Sequence, residues 1–291
     1  MQHFDGKLAV VTGGGDGMGR ALAEQLTSAG ASVAICDIFE ETVAETKRLC
    51  EIDAPEGVTV TTHLCDVGVE DQILAFRDAV LREHQTDHIH LLFNNAGIGG
   101  GASIIESPRD TWERTFDVCW GGVYWGVRAF LDALRAADEG YIVNTSSVNG
   151  FWASLGPGIA HTAYSAAKFA VKGFTEALIT DLRLHAPHIK AAVVMPGHIG
   201  TGIAGNSVLA HGGEQDSASI ERAASFRNSA PMSATEAATV ILDGVRAGQW
   251  RILVGDDAQV LDLAVRKDPE EAYDPDFRDR LGEHMQVLPR R

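Results

Sequence analysis

"LAVVTGGGDGMGRALAEQL", residues 8–26, decides how the rest of the chain is read. An apolar, β-branched run enters a glycine cluster, and the cluster enters a segment of helical spacing. A short continuous apolar run bounded by glycine is a buried strand, and Ala21, Leu22 and Leu26 mark the inward face of a helix that stops at Gly30. Strict G-x-G-x-x-G spacing is absent; T-G-x-x-x-G-x-G is present, at Thr12, Gly13, Gly17 and Gly19. Glycines at such a junction let the backbone turn tightly and approach a pyrophosphate, which rests on the first amides of the helix. A glycine cluster alone is also a plain structural turn. Its place between a strand and a helix favours the nucleotide.

Outward from this stretch, the pattern repeats. "SVAICD", "VTVTTHLCD", "IHLLFNNAG", "GYIVNTSS", "KAAVVMPG" and "WRILVG" read as further strands, with helical segments between them. The long helices are expected around residues 112–134 and 163–184. Alternating strands and helices imply right-handed crossovers and a sheet covered on both faces. The prediction is an α/β fold: one doubly wound Rossmann-type domain over residues 1–291, with a mostly parallel seven-stranded sheet. Residues 198–232, rich in Gly, Ser and Ala, read as an irregular substrate lid. A polar extension from about residue 268 is expected to pack loosely on the surface.

Composition narrows the partners. Of 291 residues 45% are hydrophobic, enough for a sizeable core, and the net charge is −16. An acidic chain without a basic patch repels phosphate backbones, so no nucleic acid is expected. No apolar run is long enough to span a bilayer, and the start of the sequence does not look like a signal peptide, so no membrane contact and a cytoplasmic location are expected. Cys36, Cys50, Cys65 and Cys119 contain no C-x-x-C pair and read as reduced thiols. His84 and His88 have i, i+4 spacing but sit where a helix gives way to a strand; no metal is expected.

Asp37 ends the second strand, eighteen residues after Gly19. A carboxylate there would accept from the adenosine ribose hydroxyls and repel a 2′-phosphate, which favours NAD over NADP. It would also serve as a helix N-cap. Asp66, ending the third strand, would either reach the adenine or cap the next helix.

"TAYSAAKFAVKGF", residues 162–174, places Tyr164 and Lys168 one turn apart on one helix face. An ammonium near a phenol favours the phenolate and draws the tyrosine pKa down, toward use as a general acid/base. "NTSS" brings Ser146 and Ser147 to the carboxyl edge of the sheet, where doubly wound proteins bind ligands.

Together "TGGGDGMG", "NNAG" (94–97), Ser146–Ser147, "YSAAK" and "PGHIGT" (196–201) resemble the short-chain dehydrogenase/reductase superfamily, closely over residues 7–201. The resemblance implies an NAD-dependent oxidoreductase acting on a small molecule. Tyr164 would exchange the proton with the substrate oxygen, Ser147 would hydrogen-bond that oxygen, and Lys168 would bind the nicotinamide ribose and tune Tyr164. The implied cofactor residues are Gly13, Gly15, Asp16, Gly17 and Met18, then Asp37 and Ile38, Asp66 and Val67, and Asn95, Ala96 and Gly97. Pro196, Gly197, Ile199 and Thr201 would hold the carboxamide, and Tyr164 and Lys168 complete the set. One position departs: where the family has an asparagine that supports a water relay behind the lysine, this chain has Cys119, a poorer hydrogen-bonding group.

The substrate is less legible. Phe151, Trp152, Leu155 and His198 suggest a hydrophobic secondary alcohol or its ketone; the aromatics read equally as core or subunit-interface residues. The family's habit of pairing long helices implies a homodimer or homotetramer. An NADPH-dependent carbonyl reductase and a non-catalytic nucleotide sensor are the alternatives.

Overall fold

The computed structural model describes residues 1–154 and 160–281. Leu155 therefore lies outside the described residues. In chain order the elements are β1 (Leu8–Thr12), α1 (Gly17–Ser28), β2 (Ser32–Asp37), α2 (Glu40–Cys50), β3 (Val60–Leu64), α3 (Glu70–Glu83) and β4 (Leu91–Asn94). Then come α4 (Arg109–Phe116), a π-helical turn (Asp117–Gly121), α5 (Gly122–Ala136), β5 (Gly140–Thr145), α6 (Thr162–His185) and β6 (Ile189–Pro196). The chain continues through β7 (Ile199–Gly200), α7 (Ile203–Ala210), α8 (Ser217–Asn228), β8 (Met232–Ser233), α9 (Ala234–Arg246), β9 (Arg251–Val254), α10 (Asp256–Lys267) and α11 (Phe277–Leu281).

β3, β2, β1, β4, β5, β6 and β9 form one sheet in that order, every pairing parallel. The order reverses between β1 and β4, the switch point where an α/β sheet opens a crevice for a ligand. Both faces of the sheet are buried. Ala9 and Val11 pack with α1 and α9, whereas Leu8 and Val10 pack with α3 and α5. This two-sided burial is why the strands read as continuous apolar runs rather than alternating ones. A polar layer crosses the sheet beneath the site: Asn94 Nδ2 donates to Asn144 Oδ1 (2.9 Å), and Asn144 Nδ2 donates to Thr175 Oγ1 (3.0 Å). It pins β4, β5 and α6 in one register.

Three expectations change. Residues 198–232 are not irregular: β7 pairs with β8, and α7 and α8 stand between them. α8 buries no residue, so its sequence carries no apolar stripe to read. The long helix expected around residues 112–134 is present but carries a π-turn, the one that contains Cys119, between α4 and α5. Finally, the described part of the C-terminal extension, as far as Leu281, is not loose. Ala272, Phe277 and Leu281 are buried with Leu261 and Trp152 in a third apolar cluster. Trp152 Nε1 donates to the Ala272 carbonyl (2.6 Å), and the Tyr273 hydroxyl accepts from the Ala153 amide (3.1 Å). A few well-spaced apolar residues in a charged segment suffice here because each fully buried one contributes about 1.5–3 kcal/mol.

Candidate active site

β1 delivers the glycine loop to the switch point. Gly13 (φ 64°) and Gly17 (φ 53°) occupy the left-handed region that favours glycine. Gly19 allows the close approach of α1 to the loop: a Cβ there would lie 2.0 Å from the Gly13 carbonyl oxygen. The first turn of α1 holds no acidic residue, and the Asp16 side chain does not cap it. The Asp16 carboxylate instead accepts from Asn206 Nδ2 (3.0 Å) and pairs with Arg227 (3.4 Å). The amides at the head of α1 therefore keep no side-chain acceptor, as an anion-binding terminus requires.

Thr12 Oγ1 accepts from the amides of Asn95 (3.0 Å) and Ala96 (3.1 Å), which fastens the 95–97 segment against the glycine loop. Asn95 Oδ1 is buried without a protein donor. An open cleft runs across these elements. It is lined by Gly13, Asp16, Gly17 and Met18, by Asp37 and Ile38, by Asp66 and Val67, by Asn95, Ala96 and Gly97, and by Thr201. These cofactor candidates come from five strand ends, yet the fold brings them to one groove. Gly15, Pro196, Gly197 and Ile199 are not among its lining residues: Gly15 sits against Asp37 and Thr42, Pro196 ends β6, Gly197 follows it and Ile199 opens β7.

Asp37 Oδ2 accepts from the Gly15 amide (3.0 Å), and Oδ1 accepts from the Ile38 amide (2.7 Å). Burial pushes the Asp37 carboxyl above its ordinary pKa, with the Gly15, Ile38 and Phe39 amides opposing and the Asp16 charge adding. Asp66 is occupied differently. Arg114 grips both of its oxygens (2.9 and 2.8 Å), and the Gly68 amide donates to Oδ1. The Asp66 charge is thus neutralised by a cleft residue that its sequence position gives no means of identifying.

At the chemical end, Ser147 Oγ accepts from the Asn149 amide (3.1 Å), and the Ser147 side chain lies near enough to the Tyr164 phenol to lower its pKa. Lys168 is 2% exposed; its Nζ donates to the Thr145 carbonyl (2.9 Å) and stands 5.4 Å from the Tyr164 ring centroid. Gly97 carries the cleft to this group, since a Cβ there would lie 3.3 Å from Lys168 Nζ. The electrostatics run against the expectation that Lys168 draws Tyr164 down. Burial raises the phenol well above its ordinary pKa, Cys119 adds in the same direction, and only the Ser147 hydrogen bond opposes. Burial also lowers Lys168. With its ammonium turned to Thr145, desolvation dominates.

Cys119 Sγ donates to the Ile98 carbonyl (3.2 Å) inside the π-turn. Such turns recur at functional sites. An amide is similar in size and can donate to the same carbonyl, so Cys119→Asn is expected to keep the fold and to change turnover by less than about tenfold. A larger fall, measured with the melting temperature unchanged, would give the thiol a role of its own.

Three pocket candidates are placed elsewhere. Trp152 is 4% exposed in the C-terminal cluster, with Phe151 packed against the same cluster. His198 stacks on Phe226, with ring centroids 4.3 Å apart, and its Nε2 meets the Phe226 carbonyl (2.8 Å). One residue overlooked in the sequence is His161, whose ring lies 4.8 Å from that of Tyr164. Burial pushes its imidazole down to about 4, so it is neutral at physiological pH.

A parallel sheet with an anion-ready helix terminus at its switch point, and a Ser–Tyr–Lys group beside it, defines a nucleotide-dependent oxidoreductase of Rossmann type. A sequence profile described as short chain dehydrogenase matches residues 7–211, and the chain belongs to that family. It is 38% identical over 268 residues to SadH of Mycobacterium tuberculosis (strain ATCC 25618 / H37Rv), covering 91% of this chain and 92% of that one. It is 34% identical over 204 residues to epidermal retinol dehydrogenase 2 of Homo sapiens, covering 69% of this chain and 63% of that one. The crystal structure of a short chain dehydrogenase/reductase from Burkholderia phymatum in complex with NAD superposes with a TM-score of 0.81 at 31% identity, over 94% of this chain and 98% of the other.

Proposed function

We propose that the protein transfers a hydride between a hydrophobic secondary alcohol, or its ketone, and NAD, with Tyr164 as general acid/base. The observation that carries this reading is the grouping of Ser147, Tyr164 and Lys168, with Lys168 Nζ 5.4 Å from the Tyr164 ring centroid and Gly97 bringing the nucleotide cleft to it. The cofactor, when bound, supplies or accepts the hydride. The chain does the rest. The head of α1 and the glycine loop cradle the pyrophosphate, and Asp37 accepts from the ribose hydroxyls. Ser147 holds the substrate oxygen while Tyr164 gives or takes its proton at Oη.

The dinucleotide fits this cleft on its own terms: uncapped helix amides, glycines without room for a Cβ, and the orphaned Asn95 Oδ1. The likeness to a retinol dehydrogenase supports an apolar alcohol, as does the apolar helix α7 at the cleft. Among the described residues no helix is long and apolar enough to cross a membrane. Tyr124 on α5 and Phe169 on α6 are exposed, as a homodimer or homotetramer built on these helices would require.

The cofactor reading is tested by titration. NAD is expected to bind more tightly than NADP. Asp37→Ser removes a charged acceptor, so NAD affinity should fall about tenfold and the gap should narrow. Equal wild-type affinities for the two cofactors would defeat the reading of Asp37. A spectrophotometric screen of secondary alcohols graded by size and polarity tests the substrate class.

A further inference from the structure

The loop that follows β6 is held by a carboxylate that the reaction does not use. Asp257 stands in the first turn of α10 and is 4% exposed. Its Oδ2 accepts from the His198 amide at 2.7 Å. Two glycines flank the carboxylate so closely that no other residue fits. A Cβ on Gly197 would lie 2.1 Å from Oδ2, and one on Gly255, itself at φ 101°, would lie 2.4 Å from Oδ1. The Gly197 amide in turn donates to the Val254 carbonyl at 2.9 Å, and the His198 ring is seated on α8. Residues 197–199 are thus held on one side by a buried anion and on the other by the lid.

A carboxylate is costly to bury, and burial raises the Asp257 pKa, with the His198 and Ala258 amides among the groups opposing that rise. Capping α10 alone would not need this cost, because a serine or threonine at a helix N-terminus caps without a buried charge. The charge-assisted bond to His198 is the feature that a neutral cap would lose.

We infer that Asp257 is a positioning residue for the cofactor: it fixes the 197–199 backbone in the orientation that receives the nicotinamide half of the dinucleotide. The inference rests on the proposed function. It separates two roles that α10 would otherwise merge, holding the fold and presenting the loop.

The test compares two ligands on the same protein. If residues 197–199 receive the nicotinamide half, NAD meets them, whereas ADP-ribose, which lacks that half, does not. Asp257→Asn keeps the side-chain shape and leaves a neutral acceptor. It is expected to weaken NAD binding about tenfold while ADP-ribose binds as in the wild type. Asp257→Ala, with no acceptor, is expected to weaken NAD further, again sparing ADP-ribose. An equal loss for both ligands in the Asn variant would reduce Asp257 to a structural residue, and unchanged NAD affinity in both variants would overturn the inference outright. If wild-type protein binds ADP-ribose but gains nothing from nicotinamide, the cofactor reading itself fails, and that result is distinct from the other two.

Discussion

Tyr164→Phe should abolish most turnover while leaving the fold and the cofactor site in place. The substitution keeps the ring that packs against His161 and removes one oxygen. General acid/base groups typically contribute ~10²–10⁴-fold, and a loss in that range is expected on whichever alcohol or ketone the screen identifies. NAD affinity should stay within about twofold, because the hydroxyl's protein partner is Ser147 rather than a cleft residue. The pH dependence has a direction of its own. Burial holds Tyr164 protonated through the neutral range. Ketone reduction consumes a proton from the phenol, so its rate should be level at neutral pH and fall only in alkali. Alcohol oxidation needs the phenolate, so its rate should climb as pH rises. A Tyr164→Phe enzyme turning over at a near-normal rate would remove Tyr164 from the mechanism.

The sequence carries the frame of this site and little of its upholstery. β1, the glycine loop and α1 are legible because their signals are local: an apolar run, fixed glycine spacing and an apolar helix face. The sheet order follows from alternation and crossover handedness. α9 announces itself too, through the capping box of Ser233 and Glu236 ahead of an apolar pattern. Arg114, Asn206, Arg227 and Asp257 do not. Each is an ordinary polar residue whose partner lies 48 to 211 positions away in the chain, and no spacing rule reaches that far. Trp152 misleads for the opposite reason. Its neighbourhood after Ser147 points to the substrate, but its partner, Ala272, lies 120 residues on in a segment that reads as polar surface. The upward push on Tyr164 is also invisible in a spacing of four residues, because burial is a property of everything packed around it.

Lys168→Met tests whether the lysine acts through its charge. Methionine is similar in length and apolar, so it suits a site this buried. Removing a buried ammonium removes its desolvation cost but leaves the Thr145 carbonyl without its donor, and these effects oppose each other. The melting temperature should therefore move little. Activity should not be spared. The ammonium beside the Tyr164 ring is the nearest positive charge able to favour the phenolate, and Gly97 brings it to the wall of the cofactor cleft. Turnover is expected to fall by at least ~10²-fold, and NAD affinity by about tenfold, because one group serves both proton transfer and cofactor binding. The alkaline climb of alcohol oxidation should shift to still higher pH if Lys168 favours the phenolate during turnover, against the balance in which Ser147 alone opposes burial. Lys168→Arg keeps the charge but not the compact head, and should recover the pH profile more than the rate. If the Met variant loses rate with its pH profile unmoved, Lys168 serves the cofactor and not the phenol, and the acid/base tuning must be sought in Ser147 and His161.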